Sequence, residues 1–299
     1  MAAAGTGPTA GATGTLDTDG PVLVDVPAAD GHPLQGLLYP LPEPGRAEAA
    51  VLHVHGKGGN FYSGPPRTLP PLLAPDRFVH LSLNLRCHDL AYSLLGDSTD
   101  LGADARTASG GMWERLDDGP VDVRGGVHWL RERTGLPVHV VAHSAGGYFV
   151  GDWSPEADEV ASRVLLSPLT SVRFPLSVWF GGDDEVAAAR AQAEELVRAG
   201  HGHHLLTLPT WYFAISAESF LERLDEREDR WLHGCNASPV PLMLVWGGAE
   251  GRAPLWRALY DRMTVPDRSS LELPGAGHEY RGHEAALAVA VTAFVDAHS

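Results

Sequence analysis

The chain has only two cysteines in 299 residues, Cys87 and Cys235. They lie far apart, and neither is flanked by the second thiol or imidazole that a zinc knuckle or dithiol redox pair requires, so neither chemistry is expected. So few thiols make a reduced, cytoplasmic setting the simplest expectation, with a single disulfide left open. Basic residues are scarce as well, 22 Lys and Arg against 38 Asp and Glu, giving a formal charge of −16. A nucleic-acid partner needs clustered positive charge and is excluded on that ground; acid spread this evenly keeps a protein dispersed. No apolar run is long enough to span a bilayer, so no membrane partner is expected. The first twenty residues are mostly Ala, Gly, Thr, Pro and Asp, without the basic start and apolar core of a signal peptide, and a disordered tail over 1–20 is expected. Internal repeats and sustained heptads are also missing, which leaves the oligomeric state open.

What remains is a globular composition, 44% apolar and 20% charged, in a chain long enough for one large α/β domain. Residues 22–26 and 33–39 are short apolar runs separated by Asp30-Gly31, which predicts an edge hairpin. Strands are expected at 49–54, 78–85, 138–143, 164–166, 241–246 and 270–273. Helices are expected at 122–133, after residue 144, at 254–263 and at the C terminus. A long surface loop is expected over 96–111. Strands alternating with helices of this length imply a mostly parallel sheet covered on both faces, an α/β class.

The alternation stops between residues 170 and 238. Helices are expected there at 185–198 and 215–224, with a loop over 201–209, and the aromatics Trp179, Phe180, Trp211, Tyr212 and Phe213 gather in the same stretch. The expected organisation is therefore a core of 21–169 and 239–299 with a helical cap inserted at 170–238. Trp179, Trp211, Tyr212 and Phe213 would line a pocket beneath that cap, though aromatics packed on the body would give the same pattern.

The most informative stretch runs from Val138 to Gly147. A β-branched run ends at Ser144, flanked by Ala142, Gly146 and Gly147, and an apolar segment follows from Tyr148. Strand, sharp turn and helix would push the serine hydroxyl above the carboxyl edge of the sheet, with small neighbours where the backbones nearly touch. Serine is a poor nucleophile until an imidazole takes its proton and a carboxylate orients that imidazole. Two later strand ends carry Glu250 and His278, so Ser144, Glu250 and His278 follow separate strands and can converge. A tetrahedral oxyanion needs two fixed N–H donors. Ala145 would give one and the glycine-rich turn after residue 54 the other, from Lys57 or, next, Gly58.

From about residue 22 onward the chain resembles the α/β-hydrolase fold superfamily. More narrowly, His55-Gly56, the Arg86 loop, Glu114 with Asp117 and Asp122 before a helix, and the Ser144 elbow resemble bacterial serine hydrolases of esterase type. The resemblance implies hydrolysis or transfer of an acyl group from an ester or thioester without a cofactor, and names no substrate. Two departures stand out: Ala142 replaces the usual first elbow glycine, and Glu250 replaces the usual aspartate.

Competing motifs are weaker. His53 and His55 share a strand face, but the further ligands of a metal site do not follow; His201, His203 and His204 suit a solvated loop; His278-Glu279 with His283 lacks the zincin spacing. Gly56-Lys57-Gly58-Gly59 has Phe61 where a dinucleotide turn needs its third glycine. No metal and no cofactor are therefore expected. Arg86, His88 and Asp89 either pin their loop or meet substrate. A small, apolar or aromatic substrate is the expected partner. The same triad serving a lyase, cyclisation or C–C cleavage, or a pocket that only binds, stays open at this point.

Overall fold

The computed structural model describes residues 20–95, 106–207, 214–227 and 229–299, so all but the last residue of the expected tail lies outside the described residues. β1 (Val22–Pro27) and β2 (Pro33–Leu38) pair antiparallel around Asp30-Gly31, where Gly31 takes the left-handed conformation at φ 86°. β3 (Ala49–Val54), α1 (Gly64–Thr68), β4 (Phe78–Asn84), β5 (Tyr92–Leu95), β6 (Arg106–Ser109) and α2 (Asp118–Thr134) follow. Then come β7 (Val138–His143), α3 (Ala145–Asp152) and β8 (Ser162–Leu166). The next stretch holds α4 (Phe174–Phe180), α5 (Asp183–Arg198), β9 (Leu205–Thr207), β10 (Ala214–Ser216), α6 (Ala217–Leu224) and α7 (Arg230–Ala237). β11 (Leu242–Gly247), α8 (Ala253–Arg262), β12 (Arg268–Leu273) and α9 (Glu284–Asp296) close the chain.

Eight strands form one sheet in the order β1-β2-β4-β3-β7-β8-β11-β12, antiparallel at the β1, β2 and β4 end and parallel from β4 to β12. Strands buried on both faces read as unbroken apolar runs, yet their side chains still alternate. Ala50, Leu52 and Val54 of β3 face α2 and α3, and Ala49 and Val51 face α1 and α9. The first face carries Val123, Val127 and Leu130 of α2 and Tyr148 and Phe149 of α3; the second carries Leu287, Val291 and Val295 of α9. Cys87 and Cys235 are both buried free thiols, and burial pushes each up to about 12. Among the described residues no helix is long and apolar enough to cross a membrane.

Three local expectations need correction. The loop expected over 96–111 contains β6, which pairs with β5. The loop over 201–209 contains β9, which pairs with β10, and the helix expected from residue 215 starts only at Ala217. Ser216 is the reason: its Oγ accepts the Ser219 N–H at 3.2 Å, an N-cap that leaves Ile215 in the strand. α4 and α7 were not anticipated. Phe180, Ala193, Ile215 and Phe220 make a separate apolar cluster of α4 to α6, whereas Trp231 and Cys235 of α7 belong to the main core. α7 lies tightly on α3, with Trp231 Nε1 donating to Gly147 O at 2.9 Å.

The central strands bury an unusual number of imidazoles. His53, His80, His139 and His143 lie in β3, β4 and β7, and His55 follows β3; all are at most 5% exposed. His80 donates from Nε2 to Leu73 O at 2.8 Å, so its Nδ1 accepts from His53 Nε2 at 3.1 Å. Desolvation holds His55, His80 and His139 down to about 4 and His143 to about 3, and lowers His53 well below the ordinary value of 6.5. These rings stay neutral in the fold at pH values where the unfolded chain would protonate them, so the unfolded state binds more protons and stability rises with pH. The urea midpoint is expected to fall steadily from pH 6.5 towards 4, each such proton contributing up to ~1.4 kcal/mol per pH unit. A midpoint that stays flat between pH 7.5 and 5 would contradict this.

Candidate active site

Five strand exits on the carboxyl edge of the sheet build the site. Ser144, directly after β7, has φ 54° and ψ −117°, a conformation that L residues avoid. Two hydrogen bonds to the β8 exit hold it there: Ser144 N–H donates to Leu166 O and Leu169 N–H donates to Ser144 O, both at 2.9 Å. Small residues are required around it. A Cβ on Gly56 would lie 2.8 Å from the Ser144 Cβ, and one on Gly146 would lie 2.5 Å from His55 O. Ala142 is fully buried in β7, so a methyl group is accommodated where the first elbow glycine usually stands.

The structure brings Ser144, His278 and Glu250 together. His278 follows β12, and its Nε2 lies 3.0 Å from Ser144 Oγ, while its Nδ1 lies 2.7 Å from Glu250 Oε2. Glu250 follows β11 and is ionised, so Nδ1–H donates to it and Nε2 is left to accept the serine proton. Burial opposes the Glu250 charge. Hydrogen bonds from His278, Ser167 and the Gly247 N–H, the last at 2.8 Å, outweigh that and hold the carboxyl below the usual glutamate range.

Three residues of this network were not anticipated. Ser167, next after β8, donates to Glu250 Oε1 and lies 2.6 Å from the Tyr280 hydroxyl, which in turn lies 3.2 Å from Val245 O. His143 donates from Nε2 to the His278 carbonyl at 2.9 Å and so fixes the base loop. The position of Ser167 at a strand exit was the only signal available, because nothing in its sequence neighbourhood marks its partner.

The turn after β3 faces the elbow. His55 donates from Nδ1 to Gly56 O at 2.7 Å and accepts the Leu85 N–H at 3.1 Å, which locks the start of the turn to the β4 exit. Gly59 N–H closes back on Gly56 O at 3.0 Å. Lys57 and Ala145 line the cavity above Ser144, whereas Gly58 does not; its α-carbon faces Leu90. Lys57 is the only lysine in the chain. Its Nζ donates to Gly111 O at 2.9 Å and lies 3.5 Å from Glu114 Oε1, and Glu114 is ion-paired with Arg223 of α6. Desolvation, reinforced by the Arg223 charge, sets the Lys57 amine well below its ordinary value.

The cavity above Ser144 is roughly 700 Å³, with Leu90, Leu169, Val178 and Trp179 among its walls. Of the four aromatics expected to line a pocket, Trp179 lines this cavity, while Trp211, Tyr212 and Phe213 lie outside the described residues. Arg86 turns away from the cavity and binds Asp122 through Nε at 2.8 Å and Asp30 through Nη2 at 3.0 Å. Asp89 accepts from Asn60 Nδ2 at 2.6 Å, so it pins the loop. His143, His278 and Glu279 offer three donor atoms within 4.8 Å of one another, but both His278 nitrogens are engaged with Ser144 and Glu250.

The sheet order, the elbow and the converging strand exits define a class: the chain has the α/β-hydrolase fold. Solved structures agree. It is similar to Est1E from Butyrivibrio proteoclasticus with ferulic acid bound, at 14% identity and a TM-score of 0.66, over 92% of this chain and 98% of that one. It is similar to the esterase Pf2001 from Pyrococcus furiosus at 16% identity and a TM-score of 0.58, over 92% and 89%. It is also similar to the α/β hydrolase GrgF from Penicillium at 17% identity and a TM-score of 0.61, over 93% and 98%. In sequence, no protein-family model matches the chain and no curated protein matches it.

The close approach at Gly146 sets a prediction. Its added methyl would meet a backbone oxygen, which cannot swing aside. Gly146→Ala is expected to lower stability by about 1–3 kcal/mol in urea unfolding. An unchanged midpoint would mean that the β3 exit is not wedged against the elbow.

Proposed function

We propose that the protein is a serine hydrolase that cleaves or transfers an acyl group from an ester or thioester through an acyl-enzyme on Ser144. The observation that carries this reading is the hydrogen-bonded series Ser144–His278–Glu250 opening onto one cavity. In the proposed reaction Ser144 Oγ attacks the carbonyl carbon as His278 Nε2 takes its proton, and Glu250 stabilises the imidazolium that forms. The N–H groups of Ala145 and Lys57 receive the oxyanion. His278 then protonates the departing alcohol or thiol, and water, activated by the same imidazole, releases the acid.

Residues 170–238 act in this reading as a cap over the sheet edge, with Val178 and Trp179 forming part of the roof. Those walls suit a small apolar or aromatic acyl group, in keeping with the aromatic acid bound to Est1E. No cofactor enters the scheme.

Ser144→Ala is expected to lower turnover of aryl esters and acyl thioesters by about 10³–10⁶-fold, and Glu250→Gln by on the order of 10⁴-fold. A fluorophosphonate should label wild type at Ser144, and intact mass should trap the acyl-serine. Undiminished turnover by Ser144→Ala would remove the nucleophile from the mechanism. Turnover without any trapped acyl-serine would favour acid–base chemistry by the same residues.

A further inference from the structure

We propose that a second cavity beside the Ser144 cleft binds an anionic group, carboxylate or phosphate, at the non-reacting end of the substrate. This rests on the serine-hydrolase reading for what happens at Ser144, but not for the binding itself. The second cavity is roughly 920 Å³ and lies between the connection from β8 to α4, the start of α7 and one side of α8. Leu169 and Arg252 line both cavities, so the two are neighbours along one path.

Among the described lining residues its charge is opposite to that of the protein. The chain carries −16, yet Arg173, Arg227, Arg252 and Arg262, four of its 21 arginines, line this one space. The one carboxylate among the described lining residues is Asp229, which is already paired with Arg227 at 2.9 Å. Among the described residues Arg173 and Arg262 have no carboxylate within 4.0 Å. Several other arginines are ion-paired, as Arg77 with Glu48, Arg115 with Glu218 and Arg230 with Asp152. A guanidinium presents a planar fork of donors that fits carboxylate and phosphate oxygens in pairs. Thr170 and Ser177 add hydroxyl donors, and Leu232, Trp256 and Leu259 give an apolar wall along which a methylene stem can lie. A molecule with a reactive carbonyl at one end, an apolar stem and an anionic head fits both cavities.

The test uses 4-nitrophenyl esters of straight-chain acids of graded length, each ended in a methyl, a carboxylate or a phosphate group. At the best-fitting length an anionic end should raise kcat/KM by about tenfold over the methyl end at low salt, and sodium chloride should erase the advantage. Arg173→Glu with Arg262→Glu should abolish or invert the preference while methyl-ended esters stay within about twofold of wild type. Arg173→Gln with Arg262→Gln should abolish it without inversion. Superior carboxylate or superior phosphate would identify the head group. No anionic preference at any length, or one unmoved in both double variants, would overturn the proposal. If wild type turns over no ester at all, the hydrolase reading fails alone. Calorimetry with the free carboxylate-ended and phosphate-ended acids then decides the cavity: binding about tenfold tighter to wild type than to the Glu double variant upholds it, and equal or absent binding overturns it.

Discussion

The left-handed backbone at Ser144 is the constraint on which the rest of the site depends. An L residue at φ 54° carries a steric penalty that only its surroundings can offset. Here the offset comes from β8, whose exit accepts the Ser144 N–H through Leu166 O and donates to Ser144 O from Leu169. The next residue of the same exit, Ser167 at φ 42°, reaches the other way to Glu250. One strand end therefore sets both the serine and the carboxylate, and the imidazole between them has little freedom left. Tyr280 ties the loop that carries His278 back to Ser167, which closes the circuit.

Charge around this circuit is arranged with the same economy of freedom. Glu250 keeps its negative charge in a largely buried place because three donors face it. His55 and His143, which line the same cavity, are kept neutral by burial, so neither adds a positive charge to the site. Each instead spends its N–H on a backbone carbonyl, Gly56 O for His55 and His278 O for His143. The histidines that flank the site thus hold loops, whereas the ring of His278 lies between Ser144 Oγ and Glu250.

Much of this was legible in the sequence because it is local. Asp30-Gly31 specifies its hairpin, β-branched runs specify the parallel strands, and a serine among small residues at a strand end specifies the elbow. Parallel strands also guarantee that residues after separate strands share an edge, which is why Ser144, Glu250 and His278 could be grouped before any distance was known. The choice between Lys57 and Gly58 could not be made that way, since a turn's neighbouring amides differ only in direction. Ser167, Tyr280 and His143 were illegible for a related reason: each acts through a partner more than 80 residues away. The strands β9 and β10 were hidden by their length of three residues, too short for periodicity to register.

The stretch between β8 and β11 divides its allegiance, and the division bears on how a cleft could be roofed. α4 to α6 bury their apolar faces mainly on one another, whereas α7 is wedged on α3 beneath Gly147. Glu226, between the two parts, accepts from Tyr148 of α3 and from the Val172 N–H, so the stretch is fastened to the body near both of its ends. Between those fastenings Arg223 of α6 is buried and meets Glu114, beside the sole lysine of the chain. A buried ion pair tolerates little displacement, because separating the charges leaves each unsolvated. The segment that contributes Trp179 to the cavity wall is therefore also the segment whose Arg223 holds Glu114 beside Lys57, so that wall and the Lys57 turn are tied to each other.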